Sequence, residues 1–254
     1  MFSQHWPITT CTKWEEAKQT NTCNLPKDKS LWTIHGIWPT KNGTSGPQSC
    51  PSAIHFDPDQ LVPMLNDLQT YWVNIEANTE PNSFWKHEWD KHGTCASVLP
   101  TLDSVTNYFQ QGLTWNKQYK LSDMLEKSNI VPGSEGYTVK TIYDAVKSVT
   151  AKVPLIQCVV DEETQDSMIS EIRICFDKSF DLIDCDPENP LSGTKLKAIT
   201  NCNLKKPIMY LKDVPANEVS YEMDYDDAFR QHIDEQLFYM DIYRCLKFLI
   251  WLTT

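Results

Sequence analysis

Histidine, lysine and tryptophan crowd into two short segments, Trp32-Thr33-Ile34-His35-Gly36-Ile37-Trp38-Pro39 and Phe84-Trp85-Lys86-His87-Glu88-Trp89-Asp90-Lys91-His92-Gly93-Thr94-Cys95. Together they hold three of the six histidines, one glutamate, two lysines and four of the nine tryptophans. Histidine titrates near neutral pH and can give or take a proton there. Lysine offers positive charge to a developing oxyanion, and tryptophan offers a flat face on which a nucleobase stacks. That combination suits acid/base chemistry on an anionic, ring-bearing substrate.

RNA cleavage by its own 2′-hydroxyl fits these requirements. One group removes the 2′ proton, a second protonates the departing 5′ oxygen, and a cationic group stabilises the crowded phosphorus between them. The nucleophile is tethered within the substrate, so no metal or cofactor is expected. A zinc reading of His87-Glu88 fails against H-E-x-x-H, because the fourth residue onward is Lys91 and His92 falls one place later. His5, His55 and His232 lack such company and read as structural or surface residues.

The two segments need a wall on either side of the substrate. Residues 31–38 read as an apolar strand closed by Pro39, placing His35 on one wall. Residues 84–95 read as a helix, in which Glu88 and His92 stand at i and i+4, as do His87 and Lys91. On such a helix the four polar groups share one face. Elsewhere, residues 1–8 read as a short strand ending at Pro7, and residues 57–71, 102–113 and 137–149 as helices. Residues 153–160 and 168–176 read as strands, with 179–185 completing a hairpin. Strands at both ends of a helical middle predict an α+β fold with a central antiparallel sheet flanked by helices.

The whole chain bounds the setting. Its 254 residues, 41% apolar, exclude a disordered protein, and its net charge of −11 excludes a nucleic-acid binder relying on long-range attraction. A short stretch of RNA held in a local cationic pocket remains compatible with that charge. The nine cysteines include no C-x-x-C pair, which favours a disulfide framework in an oxidising compartment over zinc ribbons or redox sites. Eight bridged cysteines allow on the order of a hundred connectivities, and the residues alone choose none. Asn42-Gly43-Thr44 is a candidate glycosylation site. The chain opens Met1-Phe2-Ser3-Gln4 without a basic start or apolar core, so a mature or truncated form is expected. No apolar run reaches the ~20 residues of a membrane span.

The paired segments closely resemble the two active-site signatures of the ribonuclease T2 family, acid endoribonucleases of secretory and lysosomal compartments. The likeness extends from Gln4-His5-Trp6-Pro7 to about Tyr210. The resemblance implies the family's α+β fold and a metal-independent attack on single-stranded RNA with little base preference. The products would be 2′,3′-cyclic phosphates and then 3′-phosphates; DNA would not be a substrate. It further implies His35 as the acid for the leaving oxygen, His92 as the base, Glu88 and Lys91 as stabilisers, and His87 as a phosphate ligand. Trp38 and Phe84 would stack on the flanking bases, and the bridges would be Cys11–Cys23, Cys50–Cys95, Cys158–Cys202 and Cys175–Cys185.

This reading makes residues 1–213 the catalytic domain and residues 214–254 an acidic, then helical tail. The tail's Phe229, Ile233, Leu237 and Met240 would pack on the body or bind a partner, and Cys245 could join two copies. A secreted or lysosomal lumen is expected. The competing readings are a signalling protein whose effect lies in a surface, and a metal-dependent hydrolase.

Overall fold

Pro7 opens a helix rather than closing a strand. Proline lacks the N–H that the first helical turn leaves unsatisfied anyway, and its fixed φ suits that position. Strand β1 (Phe2–His5) therefore ends early, and helix α1 (Pro7–Ala17) follows at once. This is a computed structural model describing residues 1–41, 46–161, 164–185 and 199–215. Strand β2 (Thr33–Ile37) comes next. The segment predicted as one helix over 57–71 starts as a 3-10 turn, Pro58–Met64, and becomes α2 (Leu65–Tyr71). Pro63 inside the turn explains the break, since it removes a backbone donor.

The helix predicted over 84–95 has three parts: α3 (Ser83–Glu88), a π-helical turn (Trp89–Gly93) and α4 (Thr94–Ala96). Helices α5 (Val105–Gln118), α6 (Leu121–Glu126) and α7 (Val139–Thr150) follow, with strand β3 (Gly136–Tyr137) before the last. Ser104 and Thr138 cap α5 and α7, each accepting a backbone N–H at 3.1 Å. The remaining strands are β4 (Leu155–Val160), β5 (Ser167–Phe176), β6 (Leu182–Ile183) and β7 (Ile208–Met209).

Strand β5 organises the sheet. It pairs antiparallel with β1, β4 and β6, and β1 pairs antiparallel with β2. Strand β7 runs parallel to β5 and antiparallel to β3, so the sheet is mixed rather than wholly antiparallel. The connection over residues 184–207 is long enough for a parallel crossing, which no tight hairpin permits. Helices pack around this sheet in two apolar clusters. One gathers Trp6, Trp32, Ile142, Tyr143, Ile156, Ile172 and Tyr210; the other gathers Phe2, Ile34, Trp72, Trp89, Tyr108 and Phe109. Both are rich in aromatic rings, each burying a large area.

Disulfides join Cys11 to Cys23, Cys50 to Cys95, Cys158 to Cys202 and Cys175 to Cys185. Residues 1–214 cluster as one compact unit. The helical tail and Cys245 lie outside the described residues, as does the candidate glycosylation site at Asn42.

Candidate active site

His35 occupies an irregular position in β2. Ser3 of β1 pairs with Gly36 and Gln4 pairs with Ile34, which leaves His35 as an extra, unpaired residue. Such a bulge bends the strand and re-aims the side chain it carries. His35 is accordingly the half-exposed residue in a strand otherwise buried. The indole N–H of Trp72 donates to its carbonyl at 3.0 Å, and Trp72 in turn accepts from the indole N–H of Trp85 at 2.7 Å. Buried indoles thus hold the histidine's backbone to the helical wall.

That wall carries Glu88 and His92 inward, with 1% and 6% of their surface exposed, whereas His87 is exposed and Lys91 half-buried. The sequence places all four on one α-helical face. The π turn changes this, because a wider turn alters the angle between successive side chains. Glu88 and His92 point into the site, and His87 and Lys91 stand at its rim. Glu88 accepts the indole N–H of Trp38 at 2.9 Å on Oε2, and its Oε1 lies 3.8 Å from Nε2 of His35. The hydroxyl of Tyr108 accepts the Ile37 N–H at 3.2 Å and donates to the Ile37 carbonyl at 3.0 Å, fixing the end of β2. Trp38 lies between the histidines, with ring centres 4.8 Å from His35 and 5.3 Å from His92. Phe84 closes another side, 5.9 Å from His35.

Two residues that the motifs do not reveal complete the constellation. Glu171 of β5 lies 2.5 Å from Nδ1 of His35, and Arg173 binds the same carboxylate. The available signal is their alternation with Ile172 and Ile174, which puts both charges on one face of a strand. His5 lies opposite Glu171 in the sheet, buried, with its ring 5.2 Å from His35 and nearly parallel to Phe84. It therefore belongs to the site, whereas His55 is exposed and His232 lies outside the described residues.

The two central histidines have opposite environments. For His35, burial opposes the charged ring, but the hydrogen bond and charge of Glu171, with Glu88 behind it, outweigh burial and raise its pKa above the usual value. For His92, burial and the positive groups Lys91, His35 and His87 all act downward, to about 3. Glu88 is pushed up by burial to about 7, against the pull of His35, Trp38 and Lys91. Burial would also raise Glu171, but His35 and Arg173 hold it down at about 2. The arrangement therefore offers a charged imidazole and a neutral one in the same acidic range, as acid/base catalysis requires.

Shallow depressions flank these groups. One is lined by Ser49, Ser83, Lys86, His87, Asp90 and Lys91, and another by Asn24, Asn74, Asn82, Phe84 and Trp85. A larger cavity of about 840 Å³ lies away from the acid/base groups, lined in part by Asn24, Trp32, Asn116 and Lys120. Among the described residues, the cluster with metal-ligand spacing is Cys11, Glu15 and Cys23, and its two cysteines are bonded to each other. No described helix is long and apolar enough to cross a membrane.

Cys95 follows the π turn directly, and its bond to Cys50 closes a loop across the sequence between the two segments. Replacing both cysteines with serine is expected to lower stability by about 2–4 kcal/mol, mainly by freeing the unfolded chain. Urea unfolding of the variant beside the parent protein checks this.

The sequence model of the Ribonuclease T2 family matches residues 1–185. Ribonuclease Oy of Magallana gigas is 36% identical over 212 residues, which is 82% of this chain and 93% of that protein. Human RNase T2 superposes with a TM-score of 0.66 at 30% identity, covering 83% of this chain and 96% of that one. Ribonuclease MC1 from bitter gourd seeds gives a TM-score of 0.62 at 28% identity, covering 73% of this chain and 92% of that one.

Proposed function

Because this chain belongs to the ribonuclease T2 family, we propose that it cleaves single-stranded RNA internally, without a metal, through each ribose's own 2′-hydroxyl. Cleavage yields a 2′,3′-cyclic phosphate, which water then opens to a 3′-phosphate. Base preference is weak, since stacking on aromatic rings accepts every base. The observation that carries the assignment of roles is the contrast between the two histidines. His35 has a carboxylate 2.5 Å from Nδ1, while His92 is buried among positive groups.

In this reading neutral His92 takes the 2′ proton as O2′ attacks phosphorus. The P–O5′ bond breaks, and His35 gives its proton to the departing O5′. In the second step the roles reverse: His35, now neutral, takes a proton from water as its oxygen attacks phosphorus, the P–O2′ bond breaks, and His92 returns its proton to O2′. Lys91 and the rim histidine His87 draw the phosphate in and offset its growing charge. Glu88, pushed up by burial to about 7, takes a proton in the acidic range, which leaves Glu171 to hold the charge on His35. It then donates a hydrogen bond to a phosphoryl oxygen rather than repelling it. Trp38 and Phe84 receive the bases on either side of the scissile bond, in keeping with their positions beside His35.

The pH dependence follows from these directions. Below about 3, His92 is protonated and cannot act as base; above the raised pKa of His35 the acid is lost. Activity should be bell-shaped with an acidic maximum. Cleavage of single-stranded RNA from about pH 2 to about pH 8 with EDTA present tests this. Persistence in EDTA with loss on both limbs supports the reading; an oxidised protein that cleaves nothing, or only with added metal, overturns it.

Residues 1–213 are the catalytic domain in this proposal, and the tail is not needed for the chemistry. The four disulfides suit a secreted protein or one held in an acidic lumen.

A further inference from the structure

Glu171 takes no part in the proton transfers above, yet its carboxylate sits at the centre of the acid side of the site. Oε1 lies 2.5 Å from Nδ1 of His35. Oε2 accepts from Nε and Nη2 of Arg173 at 2.9 and 2.6 Å and from the Ser3 hydroxyl at 3.2 Å. The side chain is only 13% exposed, so water cannot substitute readily for these partners. The Arg173 guanidinium in turn lies over the Trp38 ring, 4.7 Å from its centre. One carboxylate thus connects the general acid to the ring proposed to receive a base.

We propose that Glu171, seated by Arg173, is a positioning residue that fixes His35 with its proton on Nδ1 and thereby presents Nε2 to the leaving oxygen. The proposal rests on the RNA-cleavage reading for its kinetic consequence, but not for its geometry. A carboxylate hydrogen-bonded to one imidazole nitrogen decides which tautomer the neutral ring adopts and which nitrogen faces the substrate. Nε2 is the nitrogen that faces Glu88, at 3.8 Å, on the side of the helical wall. His92 differs: its Nδ1 is buried and has no hydrogen-bond partner among the described residues.

The charged groups around His35 come from every neighbouring element. Glu171 and Arg173 face it from β5, Glu88 and His87 from α3, His5 from β1, and His92 from the π turn. Glu171 and Glu88 favour the protonated ring, and Arg173 opposes it. Removing the Glu171 charge therefore lowers the pKa of His35, so the acid is lost at lower pH.

Glu171→Gln keeps an oxygen that can accept the Nδ1 proton but removes the charge. It should move the basic limb of the pH–rate profile down by about one unit. Glu171→Ala removes both charge and bond, and should also lower kcat at the optimum by about 10–100-fold, with KM changed less. In the wild-type protein, ¹⁵N NMR of His35 should show the neutral ring protonated on Nδ1, and Glu171→Ala should lose that preference. A basic limb unmoved in Glu171→Gln overturns the proposal, and so does a wild-type neutral ring protonated on Nε2. A wild type that cleaves no RNA defeats the functional reading alone, because the tautomer measurement decides this one without activity. The same measurement decides it if a Glu171 variant does not fold.

Discussion

His35→Phe and His92→Phe should each slow cleavage of RNA by about 10²–10⁴-fold, and a second substrate should separate them. In an aryl phosphodiester of a nucleoside 3′-phosphate, the phenolate departs as a stable anion and needs no proton. If His35 is the acid, His35→Phe should recover most of its rate on that substrate. His92→Phe should stay inactive on both, because the 2′-hydroxyl must still lose its proton. Initial rates in EDTA at acidic pH make the comparison. Recovery by His92→Phe instead would show that the roles are exchanged, and failure of either to recover would show that His35 does more than donate a proton. Removing His35 also leaves Glu171 with Arg173 and Ser3 as its remaining partners, so unfolding curves of both variants belong beside the rates.

Gly36→Ala should be nearly as damaging, although the change is a single methyl group. A Cβ at this position would lie 2.0 Å from Oε2 of Glu88 and 2.5 Å from Nε1 of Trp38. These are the two atoms of the Trp38–Glu88 hydrogen bond. Glu88 is 1% exposed, so either the bond breaks or β2 moves, carrying His35 with it. Displacement of a catalytic group by about 1 Å can cost 10²-fold in rate. We expect a loss of about 10²-fold in kcat together with about 1–3 kcal/mol of stability from overpacking. Steady-state kinetics and thermal unfolding of the variant measure both. Retention of full activity would show that Trp38 and Glu88 need not stay joined.

The reading of the site from sequence succeeds where residues are close in the chain. His35 and Trp38 are three residues apart, and Phe84 to His92 form one local run, so their types and spacing are visible without any fold. Glu171 and Arg173 are invisible for the opposite reason. Nothing local says that β5 lies beside β1, or that the charged face of β5 is the face toward His35; strand pairing across such distances is a tertiary fact. The same limit applies to β7, whose parallel pairing depends on a long connection. The missed helix α1 has a different cause. Pro7 was ambiguous between ending a strand and starting a helix, and both readings obey its chemistry. Helix α6 is only six residues long, too short for a periodic pattern to stand out. The π turn spans five residues, and no composition marks it in advance.

The bulge at His35 sets a trap for anyone who wishes to make this enzyme sturdier. Judged as a sheet, β2 has a defect: one residue too many between Ile34 and Gly36, and a missed pairing opposite β1. Deleting a residue there would regularise the ladder and score as an improvement on any criterion that looks only at backbone order. Yet the surplus residue is His35 itself: with Gly36 still opposite Ser3 and Ile34 still opposite Gln4, closing the ladder removes the position from which the histidine is aimed. The regularised strand would have no histidine at this point and would leave Glu171 without its imidazole partner. If His35 is the acid proposed above, catalysis depends on a fault in the weave, and an engineer must preserve that fault while strengthening everything around it.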